Sequence, residues 1–116
     1  MPLDEQTTQE KWSALLQKER LQHQNTVRVP IATRRKQIDE QIAYYKGTLQ
    51  RNLLAGMTDN NETLVKKLIQ LRATQTIYIL LGKEEERGYL DEQTTRYEVE
   101  QYTRDCLLLA KSIGLS

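Results

Sequence analysis

A chain of 116 residues suffices for one domain with a modest core, and its composition is polar, with 38% hydrophobic residues and no phenylalanine. Its 17 basic and 16 acidic residues nearly cancel, which excludes a strong overall attraction to nucleic acid or to an anionic membrane. No apolar run approaches the roughly 18 residues that span a bilayer, and the N-terminus lacks the pattern of a signal peptide. We therefore expect a cytoplasmic or particle-associated protein, neither secreted nor membrane-spanning.

The first predicted element is a helix over residues 4–24. Asp4 is a favourable N-cap residue, and Glu5 places a carboxylate at the positive end of the helix dipole. The apolar stripe of this helix is short and one-sided, and its main members are Trp12, Leu15 and Leu16. These features predict a peripheral helix that docks through Trp12.

A long helical hairpin is predicted over residues 31–81. Residues 25–30 form a connector, because Pro30 disfavours helical angles at the residue before it. Apolar residues at three-and-four spacing then indicate an amphipathic helix, with Gly56 available as its C-terminal cap. A short turn leads to a further helix with Asp59 in the cap role of a capping box. Because the turn is short, the two helices are expected to be antiparallel.

The second half of the chain completes an all-α bundle. Residues 74–81 also suit a strand, but we assign them to the hairpin helix, which Gly82 should end. A charged loop over 82–90 follows, and Asp91 caps a C-terminal amphipathic helix over 91–113. The apolar stripe of that helix contains Val99, Tyr102, Cys106, Leu109 and Ile113. The predicted fold is a single domain, 1–116: a small helical bundle built on a long antiparallel αα-hairpin, with a peripheral N-terminal helix.

No residue pattern indicates catalysis, a metal or a cofactor. The only histidine, His23, lies in a polar stretch, whereas the only cysteine, Cys106, lies on an apolar stripe, where burial makes a thiol a poor nucleophile. The carboxylates of 84–86 are consecutive and do not converge on a cation, so they are interpreted as solvated charges. We predict a non-enzymatic protein without a small-molecule substrate. A minor alternative is an enzyme that brings Asp39 and Glu40 together across a subunit interface.

The apolar stripes carry the main functional prediction. The polar composition favours a subunit that completes its core against a neighbour, although the stripes could equally bury one another within a monomer. The candidate protein-interface residues are Trp12, Leu15, Leu16, Ile38, Ile42, Tyr45, Leu49 and Tyr78. We predict a structural or adaptor subunit that acts through helix-mediated protein–protein assembly, in a homo-oligomer or a larger particle such as a virion.

A basic cluster supports the alternative function. Its members are Arg28, Arg34, Arg35 and Lys36, at the connector and the start of the second helix. Cations are unfavourable at the positive end of a helix, so an acidic partner is expected. That partner is either acidic residues of the same or a neighbouring subunit, or the phosphates of a nucleic acid. The second hypothesis is therefore a nucleic-acid-associated regulator.

Overall fold

The computed structural model describes the backbone of residues 5–26 and 30–114, and the side chains of 11–22 and 30–114. This part of the chain contains four α-helices and no strand, which confirms the predicted all-α class. The helices are α1 (Glu5–Thr26), α2 (Ile31–Leu54), α3 (Asn61–Arg87) and α4 (Glu92–Ser112). Asp4, the proposed cap of α1, and Val27 to Val29 lie outside the described residues.

Helix α3 is the centre of the fold. The helices α1, α2 and α4 all pack against α3, while among the described residues the backbones of these three helices do not approach one another closely. The molecule measures 48 × 35 × 19 Å, so it is thin in one direction. None of the helices in the described part is long and apolar enough to cross a membrane.

The predicted αα-hairpin is confirmed as α2 and α3. Gly56 adopts a φ of +70° just after α2, and the Met57 N–H donates to the Asn52 carbonyl at 2.9 Å, a Schellman ending. The predicted capping box is wrong: Asn60, not Asp59, is the N-cap of α3, and its side chain makes no capping hydrogen bond. The buried side chain of Asn61 closes the turn instead by donating to the Met57 carbonyl at 2.8 Å.

The end of the hairpin is longer than predicted. Residues 74–81 are helical as expected, but Gly82 lies inside α3, and most of the predicted loop over 82–90 is helix. Helix α3 ends at Gly88, which has a φ of +83° and donates its N–H to the Glu84 carbonyl at 2.7 Å. Ion pairs support the extra turns, because the charged residues after Gly82 meet partners on α1 and α4. These contacts offset the roughly 1 kcal/mol that a glycine costs within a helix.

The termini of the outer helices follow the predictions closely. Helix α1 reaches Thr26, two residues beyond the predicted end, so the connector is shorter than 25–30. Asp91 caps α4 as predicted: its Oδ1 accepts from the Thr94 N–H at 2.6 Å. Hydrogen bonds from Thr94 also hold the pKa of Asp91 below its usual value. Gly114, with a φ of +81°, follows the end of α4, as expected for its stop.

A single cluster of buried apolar side chains from α1, α2 and α3 forms the core, and partly buried residues of α4 such as Val99 and Tyr102 pack against it. The buried cluster consists of Trp12, Leu16, Ile38, Ile42, Leu49, Val65, Leu68, Leu71, Ile77, Tyr78, Leu80 and Leu81. Helix α3 supplies more of these side chains than any other helix, as expected for the helix that touches the other three. Helix α1 is peripheral, as predicted, yet its Trp12 and Leu16 belong to this core.

Candidate functional site

An open groove of about 850 Å³ runs between α1 and α4. Trp12 and Leu16 of α1 and Val99 of α4 provide an apolar lining, and Leu90 and Leu107 mark the two ends along α4. The groove exists because α1 and α4 pack on the same central helix without closing on each other. The result is an elongated apolar trough at the surface of the bundle.

Aromatic packing holds the floor of the groove in place. The rings of Trp12 and Tyr102 meet edge to face, with centroids 5.0 Å apart and planes at 77°. Such pairs contribute about 0.5–1.5 kcal/mol beyond the burial of their area. Burial raises the pKa of Tyr102 to about 12, so its hydroxyl stays neutral at ordinary pH. The contact is therefore insensitive to pH in the physiological range.

Polar contacts fix the C-terminal half of α1 against α3. The Arg20 guanidinium pairs with the Glu84 carboxylate at 2.6 Å, and the Tyr78 hydroxyl donates to Glu19 at 3.4 Å. Burial, with the nearby Glu19 carboxylate, raises the pKa of Tyr78. Glu84 is thus engaged with α1, whereas its sequence context predicted a solvated loop carboxylate. These contacts hold the C-terminal half of α1 on α3, beside the residues that line the groove.

Charged residues form the rim of the groove on α4. Glu92, Arg96, Glu100 and Arg104 are exposed, border the groove and are spaced four residues apart, so they lie on one ridge of the helix. None of the four takes part in the ion pairs found among the described residues. We call them the charged ridge. Their charges alternate along the helix and face solvent.

The predicted interface residues lie mainly inside the bundle. Six of the eight belong to the buried core, and Leu15 and Tyr45 pack against it. Trp12 and Leu16 are the members of the set that also line the groove. The exposed surface along the groove is therefore made largely by other residues, notably Leu107 and the charged ridge.

The basic cluster lies on the first turns of α2. Arg34, Arg35 and Lys36 are exposed, and within the described chain they form no ion pair. Arg28 lies outside the described residues. Helix α2 also has no acidic residue in its first turn, where a carboxylate would favourably meet the positive end of the helix dipole.

Other reactive groups do not converge. Burial raises the pKa of the Cys106 thiol, which disfavours the nucleophilic thiolate. Asp39 accepts a hydrogen bond from Gln75 at 2.6 Å, while Glu40 borders a separate polar depression of about 440 Å³. In the described part of the chain, no group of three or more His, Cys, Asp or Glu residues is placed to hold a metal ion.

Sequence reasoning missed the groove and its ridge. The signal was present in the four-residue spacing of alternating charges from Glu92 to Arg104, which indicates a ridge but not what it borders. Leu107 was also missed, because it lies outside the main apolar stripe of α4. The chain has no significant match to a protein-family model, a curated protein or a solved structure.

Proposed function

We propose that the chain is a non-enzymatic structural or adaptor subunit that assembles with protein by receiving a helix in the α1–α4 groove. The observation that supports this role is the groove itself, with its apolar lining and charged rim. Amphipathic helices are recognised in this way, with apolar side chains in the trough and charged ones at the edge. Such a subunit would act in the cytoplasm or within a larger particle, a virion among the alternatives.

The shape of the groove favours a helix over a small molecule. Small-molecule sites enclose most of their ligand, whereas this groove, as the described residues form it, is partly open to solvent. Helix α4 has 21 residues and is about 31 Å long at 1.5 Å per residue, which matches several turns of a partner helix. Leu107 is 56% exposed at one end, and covering such a leucine contributes roughly 1 kcal/mol or more.

Site-specific photo-crosslinking in the cells that make the protein tests this proposal. A photoreactive benzoylphenylalanine replaces Thr103, an exposed residue of the groove, and in a matched control it replaces Thr63, exposed on α3 outside the groove. We expect protein crosslinks from position 103 that are absent from position 63, with the partner peptide identified by mass spectrometry. No crosslink from the groove, or equal crosslinking from both positions, would contradict the proposal.

A second candidate function rests on the basic cluster. Three exposed cations without an internal ion pair, at the positive end of α2, favour an external acidic partner such as a nucleic acid. If Arg34, Arg35 and Lys36 each neutralise one phosphate, affinity for a short DNA duplex should fall about 40-fold between about 50 and 200 mM salt. Fluorescence anisotropy measures this fall. Binding that is absent, independent of salt or unchanged in R34Q/R35Q/K36Q eliminates this candidate.

A further inference from the structure

The order of charges along the ridge of α4 is self-complementary: two copies of the ridge match in charge when they run antiparallel. Read from Glu92 to Arg104, the charges run negative, positive, negative, positive. Read in the opposite direction, they run positive, negative, positive, negative. Two copies of the ridge placed side by side in antiparallel orientation therefore bring opposite charges to the same level at every position.

The matching pairs define one register. With a twofold axis at the level of Glu98, Glu92 faces Arg104 of the second copy, and Arg96 faces Glu100 of the second copy. Each of these contacts occurs twice by symmetry. In a parallel arrangement in register, each residue instead faces the same residue of the second copy, so like charges meet. Only the antiparallel arrangement thus satisfies all four positions, which have no ion pair within the described chain.

The apolar residues of the groove fit the same register. Val99 of α4 lies next to the axis, Leu107 lies towards the C-terminal end of the groove, and Leu90, just before α4, lies at the other end. In this register Leu107 lies just beyond the N-terminal end of α4 of the second copy, towards its Tyr89 and Leu90. Tyr89 and Leu107 are 61% and 56% exposed, so both have surface left to bury. The contact would extend along α4 from Glu92 to Leu107, about 22 Å at 1.5 Å per residue.

We propose that the occupant of the groove is α4 of a second copy of this chain, in a symmetric antiparallel dimer. This inference rests on the proposed function and specifies its partner. Each α4 lies in the groove of the other copy, against Trp12 and Leu16, and the charged ridges meet along the rim. A self-complementary order of charges favours a second copy because an unrelated helix has no need of twofold symmetry.

Charge reversal of the full-length chain tests the dimer and its register together. In R96E the two facing side chains are both glutamates, and in E100R they are both arginines. Each single variant should raise the dimer Kd roughly tenfold, because two attractive contacts become repulsive. An equimolar mixture of the two variants should restore a heterodimer, since every facing pair is then opposite in charge. The double variant R96E/E100R should dimerise like the unmodified chain.

Sedimentation velocity over a concentration series measures these equilibria, and far-UV circular dichroism checks that each variant is folded. K46E and E86R provide matched controls, because they make the same charge changes at exposed residues of α2 and α3, outside the groove. They should leave the Kd unchanged.

Three results would overturn the inference. An unmodified chain that stays monomeric up to about 100 μM has no dimer of useful affinity. A dimer insensitive to R96E and E100R has its interface elsewhere. A dimer weakened by both variants but not restored by mixing them has a different register. Crosslinks from position 103 to another protein would keep the assembly proposal while excluding a second copy as the partner, so the two failures are distinguishable.

Discussion

Replacing Trp12 with alanine should detach α1 from the bundle while leaving the α2–α3 hairpin folded. Trp12 is the only tryptophan of the chain and is 5% exposed, and its ring packs against Tyr102. The other described anchors of α1 are smaller: Leu15 and Leu16 pack on the core, Arg20 pairs with Glu84, and Glu19 accepts a hydrogen bond from Tyr78. The stability of α1 on the bundle should therefore depend mainly on one side chain.

The expected magnitude follows from the buried area. A buried tryptophan removes roughly 200 Å² from water, an upper estimate of about 5 kcal/mol at 25 cal/mol per Å². Leu16 contributes about 1.5–3 kcal/mol on the same basis. The Arg20–Glu84 pair adds about 1 kcal/mol at most, because the two side chains are 34% and 29% exposed. W12A should cost about 3–5 kcal/mol, most of the docking free energy of α1.

Hydrogen–deuterium exchange resolved by mass spectrometry measures this effect helix by helix. In W12A we expect the amides of residues 11–22 to exchange almost without protection, while those of α3 keep their protection factors. The control is L21A, because Leu21 lies on the same helix and is 48% exposed. Equal loss of protection in α1 and α3 would show that α1 is a cooperative part of the core. Unchanged protection in α1 would refute the role given to Trp12.

The remaining predictions concern single residues in the other helices. G47A should raise the free energy of unfolding by about 1 kcal/mol, because Gly47 lies within α2 and a Cβ there meets only the end of a flexible side chain at 3.5 Å. G88A should lower it by about 1 kcal/mol, because Gly88 has a φ of +83°. Urea unfolding measures the free energy of unfolding of both variants. Changes in the same direction would contradict the different backbone conformations given to Gly47 and Gly88. T76V should lower the free energy of unfolding by about 1–3 kcal/mol, since it removes the hydroxyl that accepts a hydrogen bond from Arg72 at 2.7 Å. An unchanged urea midpoint would contradict this prediction. Cys106 should react with a maleimide more slowly than a free thiol does near pH 7, since burial raises the pKa of its thiol, and an equal rate would contradict this.

The helices were predictable because their signals are local. Three-and-four spacing of apolar residues, the Asp91 cap and the glycines at 56 and 114 predicted most helix ends. The error at Gly82 has a tertiary cause. A glycine followed by charged residues is a typical helix end, but Lys83 pairs with Glu98 of α4 at 3.1 Å, so the helix gains contacts by continuing.

The candidate site was less accessible to sequence reasoning. Apolar periodicity identifies which residues are buried, but not against what: most of the residues predicted for a protein interface lie in the core instead. It does not show which pairs of helices stay apart, and the groove depends on the separation of α1 and α4 over α3. The charged ridge was visible as a spacing in the sequence, but its place at the rim of a groove depends on how the helices pack.

The most direct test of the groove as a self-assembly surface is a distance measurement between two copies of α4. Spin labels are attached at Gln93→Cys or Ser112→Cys in a Cys106→Ser background, and dipolar electron paramagnetic resonance measures the separation of the labels. At 1.5 Å per residue, an antiparallel pair centred on Glu98 separates the Gln93 positions by about 15 Å along the helix axis and the Ser112 positions by about 42 Å. We expect a short distance for the first pair and a long one for the second. Absence of dipolar coupling at both positions, or equal distances at both, would contradict the antiparallel dimer.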